Sequence, residues 1–263
     1  MNEVLLEIQD HVAIITLNSP QTGNAVGLQS AMEMFDIAVH CSENPKIRAV
    51  VLTGCGSVFS VGGNLKTFAE DKDLGELIKK VTGYFHQAIS LFKRMNKPLI
   101  AAVNGTAAGG GMSMALSCDL IYASENARFV MAYNKIGFNP DGGGSYFLPR
   151  IVGVRRAFEL LYTNRQLSAA EAKEWGIVND VMPQDELLPY VIDLAKQMAK
   201  GPMEAYGETK KLIYHSFQES LETQMSLESN ALAVRATSAE GQEGVRAFIE
   251  KRSPQYIQTE VSR

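Results

Sequence analysis

Cysteine is scarce in this chain: three in 263 residues, Cys41, Cys55 and Cys118, far apart and without C-x-x-C spacing. That rules out a disulfide framework or a cysteine zinc site and suits a reducing compartment. All three are expected to be buried small hydrophobes. The four histidines, His11, His40, His86 and His215, show no ligand spacing, so no metal site is expected. No apolar run reaches the roughly 18–20 residues needed to span a bilayer. The opening MNEVLLEIQD is neither a basic-then-apolar secretory leader nor an Arg/Ser-rich transit sequence, so the expectation is a cytoplasmic protein, with a mature organellar chain as the alternative. Surplus positive charge is also missing: 25 Lys and Arg against 29 Asp and Glu give a net charge of −4, which argues against a nucleic-acid surface. No low-complexity segment or repeat stands out.

What is present is the patterning of an α/β protein. Strands are expected over Val12–Leu17, Arg48–Thr53, Leu99–Val103, Asp119–Ala123 and Arg128–Ala132, and amphipathic helices near 27–42, 74–94 and 155–163. Ser168 followed by Glu171 has the form of a capping box at a helix start. After Pro202 the chain turns helical and more polar, with apolar residues at heptad-like positions through Leu212–Phe217, Met225–Leu232 and Val245–Ile249. Residues 1–200 are therefore expected to form the core. Residues 201–263 have too little apolar surface for a core of their own and should pack on the main body or on another subunit.

The stretch AAVNGTAAGGGMSMALSCD, Ala101–Asp119, carries the chemical signal. A short buried strand runs into Gly109–Gly111 and then into a Met/Ala/Leu-rich helix. Such a helix start leaves backbone N–H groups unpaired at the positive end of the helix dipole, and glycine lets an electron-rich group approach them closely. The segment has neither G-x-G-x-x-G spacing nor a G-K-[ST] ending, so a nucleotide phosphate is a poor fit. An oxyanion is a better one. Twenty residues on, Asn139-Pro-Asp141-Gly-Gly-Gly144 holds a carboxylate in a shaped loop.

Four segments together resemble the crotonase, or enoyl-CoA hydratase/isomerase, superfamily: Phe59-Ser-Val-Gly-Gly-Asn-Leu65, Ala101–Asp119, the Asp141 loop and Glu171-Ala-Lys-Glu-Trp-Gly-Ile-Val178. Glu243-Gly-Val-Arg-Ala-Phe-Ile-Glu-Lys-Arg-Ser-Pro254 matches the family's C-terminal pattern, so the resemblance spans essentially the whole chain. It implies a spiral of ββα turns with a helical C-terminal trimerisation region, assembled as a homotrimer or a dimer of trimers. It also implies acyl-CoA thioester chemistry, with the N–H groups of Gly63 and Gly110 stabilising an enolate or comparable oxyanion. No cofactor is expected beyond the CoA of the substrate, which the resemblance places along Asn24, Ala25, Val61, Asn64, Leu65 and Lys66. Phe248 and Lys251 would reach the nucleotide from a neighbouring subunit.

Hydratases of the family carry two glutamates where this sequence has Ser113 and Tyr133, and neither replacement can activate water as a carboxylate does. Isomerases place their acid/base carboxylate in the Asp141 loop. The surrounding residues look like those of ring-epoxide phenylacetyl-CoA isomerases, of phenylacetate catabolism, and of Δ3,Δ2-enoyl-CoA isomerases of fatty acid metabolism. The implied function is a double-bond shift with Asp141 as acid and base, in a pocket that includes Tyr133, Phe138 and Ser113. Two alternatives stay open. One is 4-chlorobenzoyl-CoA dehalogenase-like hydrolysis, with Asp141 as nucleophile and His86 as base. The other is a CoA-ester binding protein without catalysis. Pocket dimensions depend on side chains from 65–85, which the sequence does not place.

Overall fold

The computed structural model describes residues 2–257. Strands β1 (Val4–Gln9) and β2 (Val12–Leu17) form an antiparallel hairpin. β2 then begins a parallel series with β3 (Ala49–Gly54), β5 (Leu99–Val103), β7 (Leu120–Ser124) and β10 (Asp180–Met182), giving a six-stranded sheet in the order β1-β2-β3-β5-β7-β10. Three of these strands are each followed at once by a short one: β4 (Val58–Ser60), β6 (Thr106–Ala108) and β8 (Arg128–Val130). The short strands pair in parallel in a second sheet, which β9 (Leu167–Ser168) closes antiparallel to β8. Each long strand, short strand and following helix makes one turn of the expected α/β spiral.

Side-chain alternation buries both faces of the first sheet. Ala13, Ile15, Val50, Leu52, Ala101 and Val103 point into the main core with Phe59, Phe129, Met34 and Met112. Val12, Ile14, Ala49, Val51, Ile100 and Ala102 meet Leu187, Val191, Ala195 and Ala199 of α8 (Gln184–Ala199). Between these lie α1 (Leu28–Glu43), α2 (Leu65–Glu70), α3 (Leu74–Arg94), α4 (Gly110–Leu116), α5 (Gly144–Val152), α6 (Val154–Thr163) and α7 (Ala169–Glu174). Asp73 starts α3 by accepting the Glu76 N–H, and Lys93 and Arg94 lie in its last turn, where positive charge complements the helix end. Val81, Phe85, Ala88, Ile89 and Phe92 form its buried stripe. His86 therefore lies just beside that stripe, at the edge of the packed face.

The capping box at α7 forms as the sequence indicates: Glu171 N–H donates to Ser168 Oγ, and Ser168 N–H donates to Glu171 Oε2. Two expectations need correction. The strand placed over Arg128–Ala132 ends at Val130, because Ala132 adopts a left-handed backbone (φ 57°) that turns the chain into a 3-10 turn over Tyr133–Ile136. Cys55 is only half-buried, since it follows β3 at a turn; Cys41 and Cys118 are buried, and burial pushes both thiols up to about 12.

The C-terminal segment comprises α9 (Met203–His215), α10 (Leu221–Thr237) and α11 (Ala239–Ile249). α9 docks through Lys210, whose ammonium meets Asp119 Oδ2 at 2.6 Å and the Lys97 carbonyl at 3.0 Å. α10 buries none of its residues and leaves Leu221, Met225, Leu232 and Val234 exposed. No helix among the described residues is long and apolar enough to cross a membrane.

Candidate active site

A cavity of about 550 Å³ opens where the spiral turns meet. Gly63 and Gly110 contribute backbone to it, Phe68, Ile78, Val81 and Phe85 form an apolar wall from α2 and α3, and Tyr133, Phe138 and Asp141 close it from the loops after β8. Asp141 is the one carboxylate along its lining among the described residues. The wall from 68–85 is the part the sequence did not place.

Two backbone donors in this cavity have no acceptor among the described residues. Gly63 forms a parallel bridge with Val26, but Gly62 O accepts the Val26 N–H and Val26 O accepts the Asn64 N–H, which leaves the Gly63 N–H unused. Gly110 is the first residue of α4, so its N–H has no carbonyl one turn earlier to reach. Gly109 takes φ 50° and ψ −123°, a backbone that a side chain disfavours, and so turns the chain from β6 into α4. The two donor segments touch, since a Cβ on Gly62 would come within 2.8 Å of the Gly110 nitrogen. A Cβ on Gly110 would stand 3.8 Å from Asp141 Oδ1. Carboxylate and donors thus face one reaction volume.

Asp141 is held through Oδ1, while Oδ2 faces an imidazole. Tyr133 donates its hydroxyl to Oδ1 at 2.5 Å, and Ser113 Oγ lies 3.0 Å behind the Tyr133 hydroxyl. Burial, then the charge of Asp141, then its hydrogen bond push the Tyr133 phenol far above its ordinary range, so it remains a donor. On the other side, His86 Nε2 lies 3.4 Å from Oδ2 and accepts the Gly142 N–H at 3.0 Å.

Ser113 is fully buried and lies behind Tyr133 rather than on the cavity surface. Two glycines of the Asp141 loop approach it closely. A Cβ on Gly144 would lie 2.5 Å from Ser113 Oγ, and one on Gly142 would lie 3.1 Å from Ser113 Cβ. The Asp141 loop packs directly onto position 113. Sequence reasoning named Ser113 and Tyr133 as two separate losses; in the fold they are two links of one chain ending at Asp141.

The residues assigned to CoA divide into two groups. Val61 and Leu65 are exposed and line the cavity mouth, and Lys66 is exposed next to them. Asn64 caps α2 by accepting the Thr67 N–H. Asn24 is buried with its side chain fully engaged: Nδ2 donates to the carbonyls of Cys55, Val58 and Phe59, and Oδ1 accepts the Ser19 N–H. It joins β4 to the preceding turn and has only backbone to offer a ligand. Ala25 is buried beside it. Phe248 is 86% exposed on α11 and Lys251 is exposed just beyond it; neither lines this cavity within one chain. Among the described residues no group of three His, Cys, Asp or Glu could hold a metal ion.

Comparison with known proteins gives a consistent picture. Residues 7–259 match the family described as enoyl-CoA hydratase/isomerase. The chain is 34% identical to 1,2-epoxyphenylacetyl-CoA isomerase of Escherichia coli K12, over 97% of this chain and 98% of that protein. It is 37% identical to 4-chlorobenzoyl coenzyme A dehalogenase-2 of an Arthrobacter species, over 84% and 81%. A crystal structure of an enoyl-CoA hydratase from Bacillus anthracis superposes with a TM-score of 0.91 at 33% identity, covering 97% of this chain and 98% of that one.

Proposed function

We propose that this chain, which belongs to the enoyl-CoA hydratase/isomerase family, is an acyl-CoA isomerase that moves a double bond with Asp141 as its single acid and base. One observation carries the reading: among the described residues a lone carboxylate shares an apolar cavity with two backbone N–H groups that have no acceptor. In a 3-enoyl-CoA, Asp141 removes a proton from C2, and the electron pair moves into the thioester oxygen between the Gly63 and Gly110 N–H groups. The enolate then collapses by taking the proton back at C4, which leaves a 2-enoyl-CoA and restores the carboxylate. Fixed donors meet the developing charge without reorganising, and each is worth about 10²–10³ in rate. A ring-derived acyl-CoA of the kind the Escherichia coli relative's name describes is the other substrate class considered for the same machinery.

Two features favour isomerisation over its rivals. Hydration needs a second group to activate water, and Ser113 and Tyr133 bring no second carboxylate to the cavity lining. Aryl-ester hydrolysis by His86 needs a free ring nitrogen beside Asp141, whereas Nε2 is occupied by the Gly142 N–H. For CoA we propose Val61, Leu65 and Lys66 at the cavity mouth, backbone at 24–25, and Phe248 and Lys251 delivered from a neighbouring copy. The bare apolar positions on α10 support a homotrimer or a dimer of trimers, to be read as mass by light scattering; the location proposed is cytoplasmic.

The deciding experiment incubates wild type and Asp141→Asn in D₂O with 3-hexenoyl-CoA, crotonyl-CoA and 4-chlorobenzoyl-CoA, following product mass and deuterium. Asp141-dependent conversion of 3-hexenoyl-CoA to its 2-enoyl isomer is expected. Chloride loss with hydroxyl gain would replace this reading with the dehalogenase one, and saturable binding without turnover of any ester would make the protein a binder.

A further inference from the structure

His86 has a second role available to it that is not catalytic. Its Nε2 lies 3.0 Å from the Gly142 nitrogen and 3.4 Å from Asp141 Oδ2. An amide N–H can only donate, so Nε2 must accept, and the ring proton must then be on Nδ1. The same nitrogen cannot also donate to Asp141. In the neutral form His86 therefore grips the backbone one residue after the carboxylate and presents a lone pair to Oδ2. Protonation reverses this: Nε2 becomes a donor, the Gly142 bond is lost, and Nε2–H turns to Oδ2. The position of the imidazole permits the exchange, because its side chain is 49% exposed and lines a second cavity of about 690 Å³ behind the loop.

We infer that His86 is a positioning residue, whose neutral Nε2 clamps Gly142 and so aims Asp141, and that protonating this nitrogen releases the clamp. The loop needs such a clamp. Gly142 and Gly143 both have positive φ, 58° and 80°, and three consecutive glycines hold little conformation of their own. The bond from α3 fixes the loop from outside as Tyr133 fixes the carboxylate from inside. The charged and titratable groups around His86 are Asp141 in the loop, Lys93 and Arg94 on its own helix, Tyr146 on α5, and Lys211, Tyr214 and His215 on α9.

The tautomer tests this without assuming any reaction, while the kinetic arm rests on Asp141 acting as acid and base. In protein carrying ¹⁵N-histidine, two-bond ¹H–¹⁵N spectra near pH 8 should show one ring, missing from His86→Gln, with its proton on Nδ1 and an accepting Nε2. A proton on Nε2 would overturn the inference whatever the enzyme turns over. Where an ester is turned over, His86→Ala should lower kcat about 10-fold with KM within about 2-fold, as expected when a catalytic group is displaced rather than removed. His86→Gln places an untitratable oxygen near the Nε2 position. It should recover kcat to within about 3-fold of wild type, and its kcat should fall less than that of wild type when the medium is acidified. A His86→Gln enzyme as slow as His86→Ala, or one whose kcat falls as steeply as that of wild type on acidification, would refute the clamp; circular dichroism checks that both variants fold.

Discussion

The two sides of Asp141 are built differently. The inner side is dry and made of side chains: a fully buried Ser113, a Tyr133 whose phenol burial keeps protonated, and Oδ1 accepting at 2.5 Å. The outer side meets solvent and is fixed through backbone: a half-exposed His86, the Gly142 N–H and Oδ2. A buried hydrogen bond to a charged oxygen is hard to exchange for water, whereas an exposed one is easily exchanged. The inner side should therefore set the direction of the carboxylate and the outer side its freedom to move.

Removing the group both sides hold gives the largest effect. Asp141→Asn keeps the shape and the acceptor for Tyr133 but loses the base, so turnover of 3-hexenoyl-CoA should fall by at least about 10²-fold. Binding of the CoA ester, measured by calorimetry, should stay within a few-fold. Near-normal turnover in a folded variant would remove the basis of the comparison.

Breaking the inner side alone comes next. Tyr133→Phe deletes a hydrogen bond to a charged acceptor, a contact worth about 1.5–3 kcal/mol. Two consequences oppose each other. A carboxylate without its donor binds a proton more readily, which helps abstraction, while its loss of orientation hinders both proton transfers. Misplacement by about 1 Å can cost about 10²-fold, so orientation should dominate, with a net loss of about 10-fold in kcat. An unchanged or raised kcat would mean that the inner side does not orient Asp141.

The contrast between the sides also shows where the sequence is informative. Strand β2, strand β5 and helix α3 lie where hydrophobic period and caps place them, because each long element carries enough pattern to declare itself. β4 and β6 have three residues each, too few for any period, and exist only because neighbouring turns of the spiral bring them together to pair. At the site, the glycine motifs and the Asp141 loop were readable as a resemblance, since each is local. The Gly142–His86 bond joins residues 56 apart, and the Ser113–Tyr133 contact joins residues 20 apart. No local pattern encodes either, because both depend on how α3 and α4 pack against the loop. Asn24 adds a role that no local pattern shows: its side chain is a structural bond-maker, which its buried left-handed backbone (φ 55°) suits, so only its backbone is left for the proposed CoA contact.

Alkali sharpens the comparison through stability. Burial raises Tyr133 and Tyr214 above the ordinary phenol range and Cys41 and Cys118 to about 12. A folded-state pKa raised above the unfolded one means that the unfolded chain loses its proton first. The associated stability is complete below the unfolded values, near 8.5 for thiols and 10 for phenols, and is lost as pH rises from there towards the folded values. Urea midpoints should thus fall steadily above about pH 9. The decline should amount to about 1.4 kcal/mol per pH unit for each thiol. Tyr133→Phe should shallow it only beyond about pH 10. A flat profile between pH 8 and 11 would show that these groups are not shielded.

The smallest effect belongs to the far end of the inner side. Ser113→Ala removes a hydroxyl that touches Tyr133 but not the cavity, and Tyr133 retains its bond to Oδ1, so kcat should change by less than about 3-fold. Stability should move by about 1 kcal/mol, the net value of one such hydrogen bond. Size at this position matters more than polarity. With Gly142 and Gly144 packed on it, Ser113→Glu should displace the Asp141 loop and lower both isomerisation and the melting temperature, without producing hydration of crotonyl-CoA. A Ser113→Glu enzyme that hydrates crotonyl-CoA would mean that the loop gives way more easily than its packing implies, and that the inner side is no more rigid than the outer.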